Sequence, residues 1–173
     1  FTGAVGLVIL PIVHIGGLWS LLTALLAARP IVMLKRFTVE GWHAAIVEHR
    51  PILGGLPPPA IRAVLDSDIP REDLSSLRAM IAGTAPVDPE LVDAFLERYG
   101  IPILITYGAT EFSGAVAGWT AKDFYTSWQQ KKGSVGRAFP GVRLQVVDED
   151  GTALGPGQTG RLQIASAQVG DSA

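Results

Sequence analysis

The sequence predicts an α/β fold: a mostly parallel sheet flanked by helices, followed by a C-terminal antiparallel β-hairpin or small β-subdomain. Two observations carry this prediction. Short apolar, β-rich segments alternate with helical patterns up to about residue 140, which is typical of parallel α/β architecture. After Gly141, apolar and polar residues alternate on both sides of a turn, which is typical of paired antiparallel strands. We therefore expect residues 1–140 to form an α/β part and residues 141–173 to begin a β-subdomain of the same domain.

The first part of the chain supplies strands and helices in turn. The segment at 18–28 is apolar on nearly every face, so we expect a buried helix there. Thr38 or Glu40 opens an amphipathic helix, in which Trp42, Ile46 and His49 recur three or four residues apart. The elements predicted here are strands at 5–10, 30–34 and 52–54, and helices at 18–28, from 38 or 40 to 49, and at 60–65.

The later elements have clearer boundary signals. Asp88 and Pro89 are typical of a helix start, and Gly100 is typical of a helix end. The inward-facing stripe of this helix is predicted to consist of Leu91, Phe95 and Tyr99. Strands are predicted at 78–82 and 101–106, and a hairpin joins strands at 142–147 and 161–165 through the turn that begins at 148.

Composition excludes several function classes. The 173 residues carry a net charge of −2, and no basic cluster is longer than Lys131-Lys132, so no nucleic-acid partner is expected. The absence of cysteine excludes disulfides and thiolate chemistry and fits a reducing cytoplasm, which is the localisation we expect. Three scattered histidines do not form a zinc-binding pattern.

The opening of the chain is uncharged as far as Arg29, which raises the question of a membrane span. A transmembrane helix is disfavoured by Pro11, His14 and several glycines in this segment. The segment also divides into a strand, a helix and a second strand. No basic segment with a cleavage pattern is present to suggest a signal peptide. We therefore expect no transmembrane segment.

The residues Tyr107-Gly108-Ala109-Thr110-Glu111 form the most informative motif. They follow an apolar strand, and ligands of open α/β sheets collect beyond the carboxyl ends of the strands. The aromatic ring could face a base, the glycine admits a close ligand, and the hydroxyl and carboxylate suit phosphate and Mg²⁺. The alternative interpretation is an ordinary turn with a solvated glutamate.

Three other patterns limit the function classes that the sequence allows. Residues 155–160 fit the dinucleotide pattern G-x-G-x-x-G, but a strand rather than a helix follows, which indicates a turn. Residues 133–136 lack the Lys-Ser/Thr pair of a phosphate-binding loop. No G-x-S-x-G motif is present, which argues against a serine hydrolase.

Five motifs in order resemble those of the adenylate-forming acyl-CoA synthetases and ligases. They are L-P-x-x-H-x-x-G at 10–17, D-L-S-S-L-R with G-x-A-P at 73–86, Y-G-x-T-E at 107–111, G-S-x-G-x-x-x-P-G at 133–141 and the G-x-x-G-E-L region at 157–162. The last departs from the family pattern, because Arg161 stands where glutamate is common. The resemblance covers nearly the whole chain and implies a central piece of the large N-terminal adenylation domain.

The resemblance implies an ATP-dependent carboxylate–CoA ligase. Such enzymes join a carboxylic acid to ATP as an acyl-adenylate, release pyrophosphate, and usually transfer the acyl group to coenzyme A. ATP, Mg²⁺ and coenzyme A as co-substrate are therefore implied, together with a small-molecule carboxylic acid; a homodimer is left open.

The resemblance also assigns roles to residues of this sequence. The catalytic set would be His14, Thr110 and Glu111, with Glu111 holding Mg²⁺. ATP or AMP would contact Gly83, Thr84, Ala85, Pro86, Tyr107, Gly108 and Thr110, with the ring of Tyr107 against adenine. The acyl pocket would be formed by His14, Gly16, Gly17, Trp19, Ala109, Val135 and Gly136.

Parts of the family pattern are missing from this chain. The phosphate loop is expected upstream, and the ribose-binding aspartate, the hinge and the catalytic lysine are expected downstream, so we expect the chain alone to be inactive. A non-catalytic acyl- or nucleotide-binding relative and a peptide-synthetase adenylation domain remain alternatives. The apolar stretch at 13–19 favours fatty or aromatic acids over amino acids.

Overall fold

The computed structural model describes residues 4–169 and confirms the predicted fold class. Strands and helices alternate along the chain, and a hairpin follows them. The strands are β1 Gly6–Val8, β2 Ile31–Met33, β3 Leu53–Gly55, β4 Ala79–Ala82, β5 Ile103–Ala109, β6 Gly114–Gly118, β7 Arg137–Ala138, β8 Arg143–Val147 and β9 Arg161–Ala165. The helices are α1 Ile15–Leu26, α2 Val39–His49, α3 Pro58–Leu65, α4 Pro89–Tyr99 and α5 Ala121–Ser127.

The strands form three hydrogen-bonded groups. β1 pairs in parallel with β2, and β3, β4 and β5 follow one another in parallel pairing. β6 and β7 extend the second group in antiparallel order, and β8 pairs with β9 in a separate antiparallel hairpin. β1 lies against β3, and the carboxyl ends of the parallel strands β3, β4 and β5 meet along one edge. Residues 1–3 and 170–173 of the two predicted parts lie outside the described residues.

Local capping explains where α2 and α4 begin and end. The hydroxyl of Thr38 accepts a hydrogen bond from the Gly41 amide at 3.0 Å, and Asp88 accepts one from the Glu90 amide at 2.9 Å. Gly100 ends α4 with φ at 73°, a conformation that glycine adopts without strain. The predicted stripe of α4 is confirmed as core, and it packs with Trp42 and Ile46 of α2 beneath the sheet; its members are Leu91, Phe95 and Tyr99.

An aromatic cluster fixes the segment after β6. The rings of Trp119, Phe124 and Trp128 pack together with centroids 5.4 to 6.3 Å apart. The indole N–H of Trp128 donates to Asp93 Oδ1 at 2.7 Å, and the Lys132 ammonium pairs with the same carboxylate. Burial alone would raise the pKa of Asp93, but the hydrogen bonds from Lys132 and Trp128 and the charge of Lys132 outweigh it and lower that pKa. This contact ties α4 to the segment after α5.

The prediction of a buried helix at 18–28 is wrong in two respects. Helix α1 begins earlier, at Ile15, and of its residues Gly17 and Ala24 are buried. Leu22 and Leu25 are exposed, and Leu26 is 88% exposed. The helix contacts β1 through small residues, since a Cβ on Gly6 would lie 2.7 Å from the Ala24 Cβ. The sequence shows that α1 is apolar, but it does not show that other described residues cover only one face of the helix.

The strand carrying the Y-G-x-T-E motif is also longer than predicted. β5 continues to Ala109, so Tyr107 and Gly108 lie within the strand instead of following it. The extension depends on β6, which pairs with β5 in antiparallel register and places Gly108 opposite Ala115, with an irregularity between Tyr107 and Gly108. The sequence prediction did not include β6, α5 or β7.

Candidate active site

A cavity of about 670 Å³ opens where the parallel strands end. Its walls come from the loop after β1, from helix α1, and from the ends of β3, β4 and β5 with the turn into β6. The volume falls in the range of small-molecule sites, and its position is the usual ligand crevice of an α/β sheet. The predicted site residues that line it are His14, Gly16, Trp19, Gly83, Thr84, Gly108, Ala109, Thr110 and Glu111.

The turn between β5 and β6 brings a hydroxyl and a carboxylate to this cavity. Thr110 and Glu111 begin a short 3-10 turn, and both side chains are exposed. The chain reverses through Ser113, at φ 53°, and Gly114, at φ 127°. The side-chain amide of Gln168 donates to the carbonyls of Phe112 at 2.8 Å and Ala115 at 3.1 Å, which fixes both sides of the turn.

The end of β4 forms the neighbouring wall. Gly83 packs closely on β5, because a Cβ there would lie 2.8 Å from the Thr106 hydroxyl oxygen. Thr84 adopts a left-handed conformation with φ at 68°, which bends the chain away from the sheet. Ala85 and Pro86 follow this bend as exposed residues that do not line the cavity. The segment 83–86 therefore presents its first two residues to the cavity and its last two to the adjoining surface.

His14 has a structural role that also fixes its tautomer. It precedes α1 as the N-cap, and its Nδ1 accepts a hydrogen bond from the Gly16 amide at 3.0 Å. Since Nδ1 acts as an acceptor, the neutral ring carries its proton on Nε2. The ring is exposed and lines the cavity, so Nε2–H is a hydrogen-bond donor available to a ligand.

Trp19 forms an apolar wall of the cavity. Its side chain is 42% exposed and lies over Gly114. A Cβ on Gly114 would lie 2.6 Å from Trp19 Cε3. The missing side chain at Gly114 is therefore what allows the indole to lie against the β5–β6 turn.

Besides Ala85 and Pro86, four further predicted site residues lie outside the cavity lining. Tyr107 is half-buried and lies on β5 between Thr106 and Gly108, which do line the cavity, so its side chain is on the other face of the strand. The centroid of its ring is 6.4 Å from that of Phe112. Gly17 packs under the preceding loop, where a Cβ would lie 2.2 Å from the Pro11 carbonyl oxygen.

The other two belong to the segment before β7. Gly136 lies against the end of β6, where a Cβ would be 2.2 Å from the Gly118 carbonyl oxygen, and its amide donates to the Ser134 hydroxyl at 3.1 Å. Val135 beside it is 41% exposed.

The cavity also contains residues that the sequence analysis did not place in the site. Thr106, Gly114 and Arg29 are among them. Arg29 had one signal in the sequence, because it ends a long uncharged run, but that signal says nothing about a cavity. Gly114 carried no signal at all, since its role depends on the approach of Trp19.

Glu111 and Thr110 form a donor set that fits Mg²⁺ bound together with a phosphate ligand. Among residues 4–169, no three histidine, aspartate or glutamate side chains group as a metal site. Mg²⁺ nevertheless needs one or two protein carboxylates when waters and substrate phosphates supply its other ligands. A single exposed carboxylate beside a hydroxyl is compatible with that mode of binding.

Comparison with known proteins identifies similar chains. Residues 2–171 match the model of the AMP-binding enzyme family. The chain is 33% identical over 165 residues to 4-coumarate–CoA ligase-like 9 of Arabidopsis thaliana, covering 92% of this chain and 28% of that protein. It is 34% identical over 164 residues to the indoleacetate–CoA ligase of Aromatoleum aromaticum, covering 92% of this chain and 31% of that protein.

Solved structures share the fold. The complex of O-succinylbenzoate coenzyme A synthetase (MenE) from Bacillus subtilis with ATP and magnesium superposes with a TM-score of 0.86 at 22% identity, covering 99% of this chain and 34% of that one. ATP-bound MatB from Rhodopseudomonas palustris gives a TM-score of 0.83 at 25% identity, covering 96% and 32%. The chain thus spans about a third of the length of the proteins it matches. In the described part, none of the helices has the length and apolar character needed to cross a bilayer.

Proposed function

This chain belongs to the AMP-binding enzyme family, and on that premise we propose that it is the central part of an ATP- and Mg²⁺-dependent carboxylate–CoA ligase. The observation that carries the proposal is the cavity itself. An apolar chamber beside α1 opens onto the Thr110–Glu111 turn at the carboxyl edge of the sheet. Such a chamber suits the hydrocarbon part of an acid, and the polar turn suits the phosphates that the acid attacks.

The adenine is proposed to lie outside the chamber, between the ring of Tyr107 and the backbone of the segment 83–86. The position of Tyr107 on the other face of β5 supports this arrangement, because the acid and the base would then occupy different faces. Gly108 keeps the strand free of a side chain between them. ATP would therefore cross the end of β5, with its α-phosphate near Thr110.

Charge develops on the phosphate during the attack of the carboxylate, and this chain offers three groups to meet it. The Thr110 hydroxyl donates to a phosphate oxygen, and Glu111 holds Mg²⁺, which when bound neutralises charge on the phosphates. The Nε2–H of His14 orients the attacking carboxylate by donating a hydrogen bond. All three line the same cavity.

The acid is proposed to be fatty or aromatic. Support comes from the apolar wall formed by Trp19 and Ala115 and from the relatives, one of which is named an indoleacetate–CoA ligase and another a 4-coumarate–CoA ligase-like protein. The segment 13–19 has no aspartate that could pair with the amino group of an amino acid, which weighs against a peptide-synthetase adenylation domain.

Pyrophosphate release by the full-length protein that contains this chain tests the proposal. The reaction would contain ATP, Mg²⁺ and a panel of fatty, aromatic and amino acids, each with and without coenzyme A. We expect release that depends on a fatty or aromatic acid and thioester formation that depends on coenzyme A. Folded protein that binds ATP but remains inactive with every acid would instead support the non-catalytic relative.

A further inference from the structure

The cavity extends along the whole length of α1. This helix has 12 residues and is therefore about 18 Å long. His14 lies immediately before its first residue, and Arg29 lies three residues after its last. Both residues line the same cavity.

Arg29 lies at the opposite edge of the sheet from Glu111. The Pro30 carbonyl accepts a hydrogen bond from the Gly6 amide at 2.8 Å, so this connection sits beside the amino-terminal end of β1. Glu111 follows the carboxyl end of β5. Trp19, in the first half of α1, lies against Gly114 of the β5–β6 turn, whereas Arg29 follows the other end of α1, so the two charged residues mark the two ends of one chamber.

The Arg29 side chain has no partner in the described part of the protein. Its Nε is buried and makes no hydrogen bond within residues 4–169, and no carboxylate there forms an ion pair with its guanidinium. Leaving a buried donor unpaired is unfavourable, and more so for a charged group. Arginine is also the side chain best suited to hold a carboxylate in a two-pronged hydrogen bond.

The walls between the two ends are mostly apolar or small. They include Ala24 and Gly6 near Arg29, and Gly54, Ala115 and Trp19 nearer the turn. The hydroxyls of Ser20 and Thr23 on α1 already donate to backbone carbonyls of that helix. These residues offer no alternative anchor for a charge in the middle of the chamber. A ligand that fills it would carry polar groups at its ends and a hydrocarbon chain between them.

From this arrangement we propose that Arg29 binds a second carboxylate at the far end of the substrate, so that the enzyme activates a long-chain dicarboxylic acid. The inference rests on the proposed ligase function, because it assumes that the other carboxylate reacts at the Thr110–Glu111 turn. It goes further by naming the acid class and the residue that selects it. One carboxylate oxygen attacks the α-phosphorus of ATP and forms the acyl-adenylate, pyrophosphate leaves, and the guanidinium holds the other carboxylate.

The test compares matched acids in the full-length protein. Saturated monocarboxylic acids and α,ω-dicarboxylic acids of equal and increasing chain length are assayed by pyrophosphate release, with wild type, Arg29→Met and Arg36→Met. Arg36 is an exposed arginine a few residues further on and controls for loss of positive charge. Equilibrium binding of the same acids is measured by titration calorimetry.

In wild type, we expect kcat/KM to favour the long diacid over the matched monoacid. Arg29→Met should lower kcat/KM for the diacid by about tenfold or more, the scale of a lost charge-assisted hydrogen bond, and should leave the monoacid unaffected. Arg36→Met should change neither value. Equal losses for both acids in Arg29→Met, or no preference for a diacid at any length, would overturn the inference.

Calorimetry separates this inference from the proposed function. Diacid binding that depends on Arg29, without pyrophosphate release, would support the anchor and refute the ligase. Acid-dependent release with no diacid preference in either assay would support the ligase and refute the anchor.

Discussion

Replacing Gly108 by alanine should disable catalysis through the backbone alone. A Cβ at this position would lie 2.1 Å from the Gly114 carbonyl oxygen and 2.6 Å from the Ala115 Cα. Both neighbours are backbone atoms, so no change of rotamer can relieve the overlap. Ordinary van der Waals contact requires about 3.5 Å, which means that β5 and β6 must separate by about 1 Å or more.

That separation would displace the turn that carries Thr110 and Glu111, the proposed catalytic residues. Thr110 and Glu111 connect these two strands. A misplacement of about 1 Å in a catalytic group can cost about 10²-fold in rate, which corresponds to ~2.7 kcal/mol of transition-state stabilisation. We therefore expect Gly108→Ala to lower kcat/KM for ATP by about 10²-fold in the full-length protein.

Pyrophosphate release at saturating acid and Mg²⁺ measures this loss, and circular dichroism verifies folding. Gly155→Ala is the matched control, because its Cβ would meet only the flexible Gln158 side chain, at 3.4 Å, in the exposed β8–β9 connection. This control should retain activity within about twofold of wild type. If folded Gly108→Ala were as active as Gly155→Ala, the argument from strand separation would be wrong.

Three further predictions concern single side chains in the full-length protein. Glu111→Gln should lower the adenylation rate by about 10²-fold, and excess Mg²⁺ should restore part of that rate. The control Glu97→Gln, on the exposed face of α4, should leave the rate unchanged. Equal rates for the two variants would remove Glu111 from the metal role. Tyr107→Ala should raise KM for ATP by about 5- to 100-fold, because the adenine loses its stacking partner. The control Tyr125→Ala, at an exposed tyrosine, should leave KM for ATP unchanged. An unaltered KM in both variants would refute the adenine contact. Asp93→Asn should lower the thermal unfolding midpoint at neutral pH. The folded-state pKa of Asp93 is lowered from 3.8, so the stabilisation by its ionised carboxylate is present above that pH and is lost as pH falls below it. The difference in unfolding midpoint between wild type and Asp93→Asn should therefore shrink in acid, and a difference that stayed constant would contradict the assignment.

The sequence predicted best those elements whose signals are local. Asp88 and Gly100 bound α4 because capping depends on the backbone of the same helix, and the hairpin strand at 161–165 matches β9. The ordered motifs predicted the family for a similar reason, since they combine independent short signals. None of these predictions depends on knowing which segments, distant in sequence, pack together in the fold.

The elements that were missed depend on distant contacts. β6 has the sequence Gly-Ala-Val-Ala-Gly, in which neither a helical nor a strand period is visible. Its small residues are required by neighbours, because a Cβ on Gly118 would lie 2.6 Å from the Phe139 ring. The exposure of α1 was missed for the same reason: the sequence shows that the helix is apolar but not which of its faces the described chain covers.

The C-terminal hairpin shows why motif reading alone cannot define the site. The change in pattern after Gly141 suggested a separate subdomain, and β8 and β9 do pair only with each other among the described strands. Gln168, just beyond β9, nevertheless donates its side-chain amide hydrogens to the carbonyls of Phe112 and Ala115, which flank the chain reversal directly after Thr110 and Glu111 and lie more than 50 residues away in sequence. The geometry of the turn is therefore set partly by the segment after the hairpin. We therefore expect the position of Glu111 to depend on Gln168 as well as on β5 and β6.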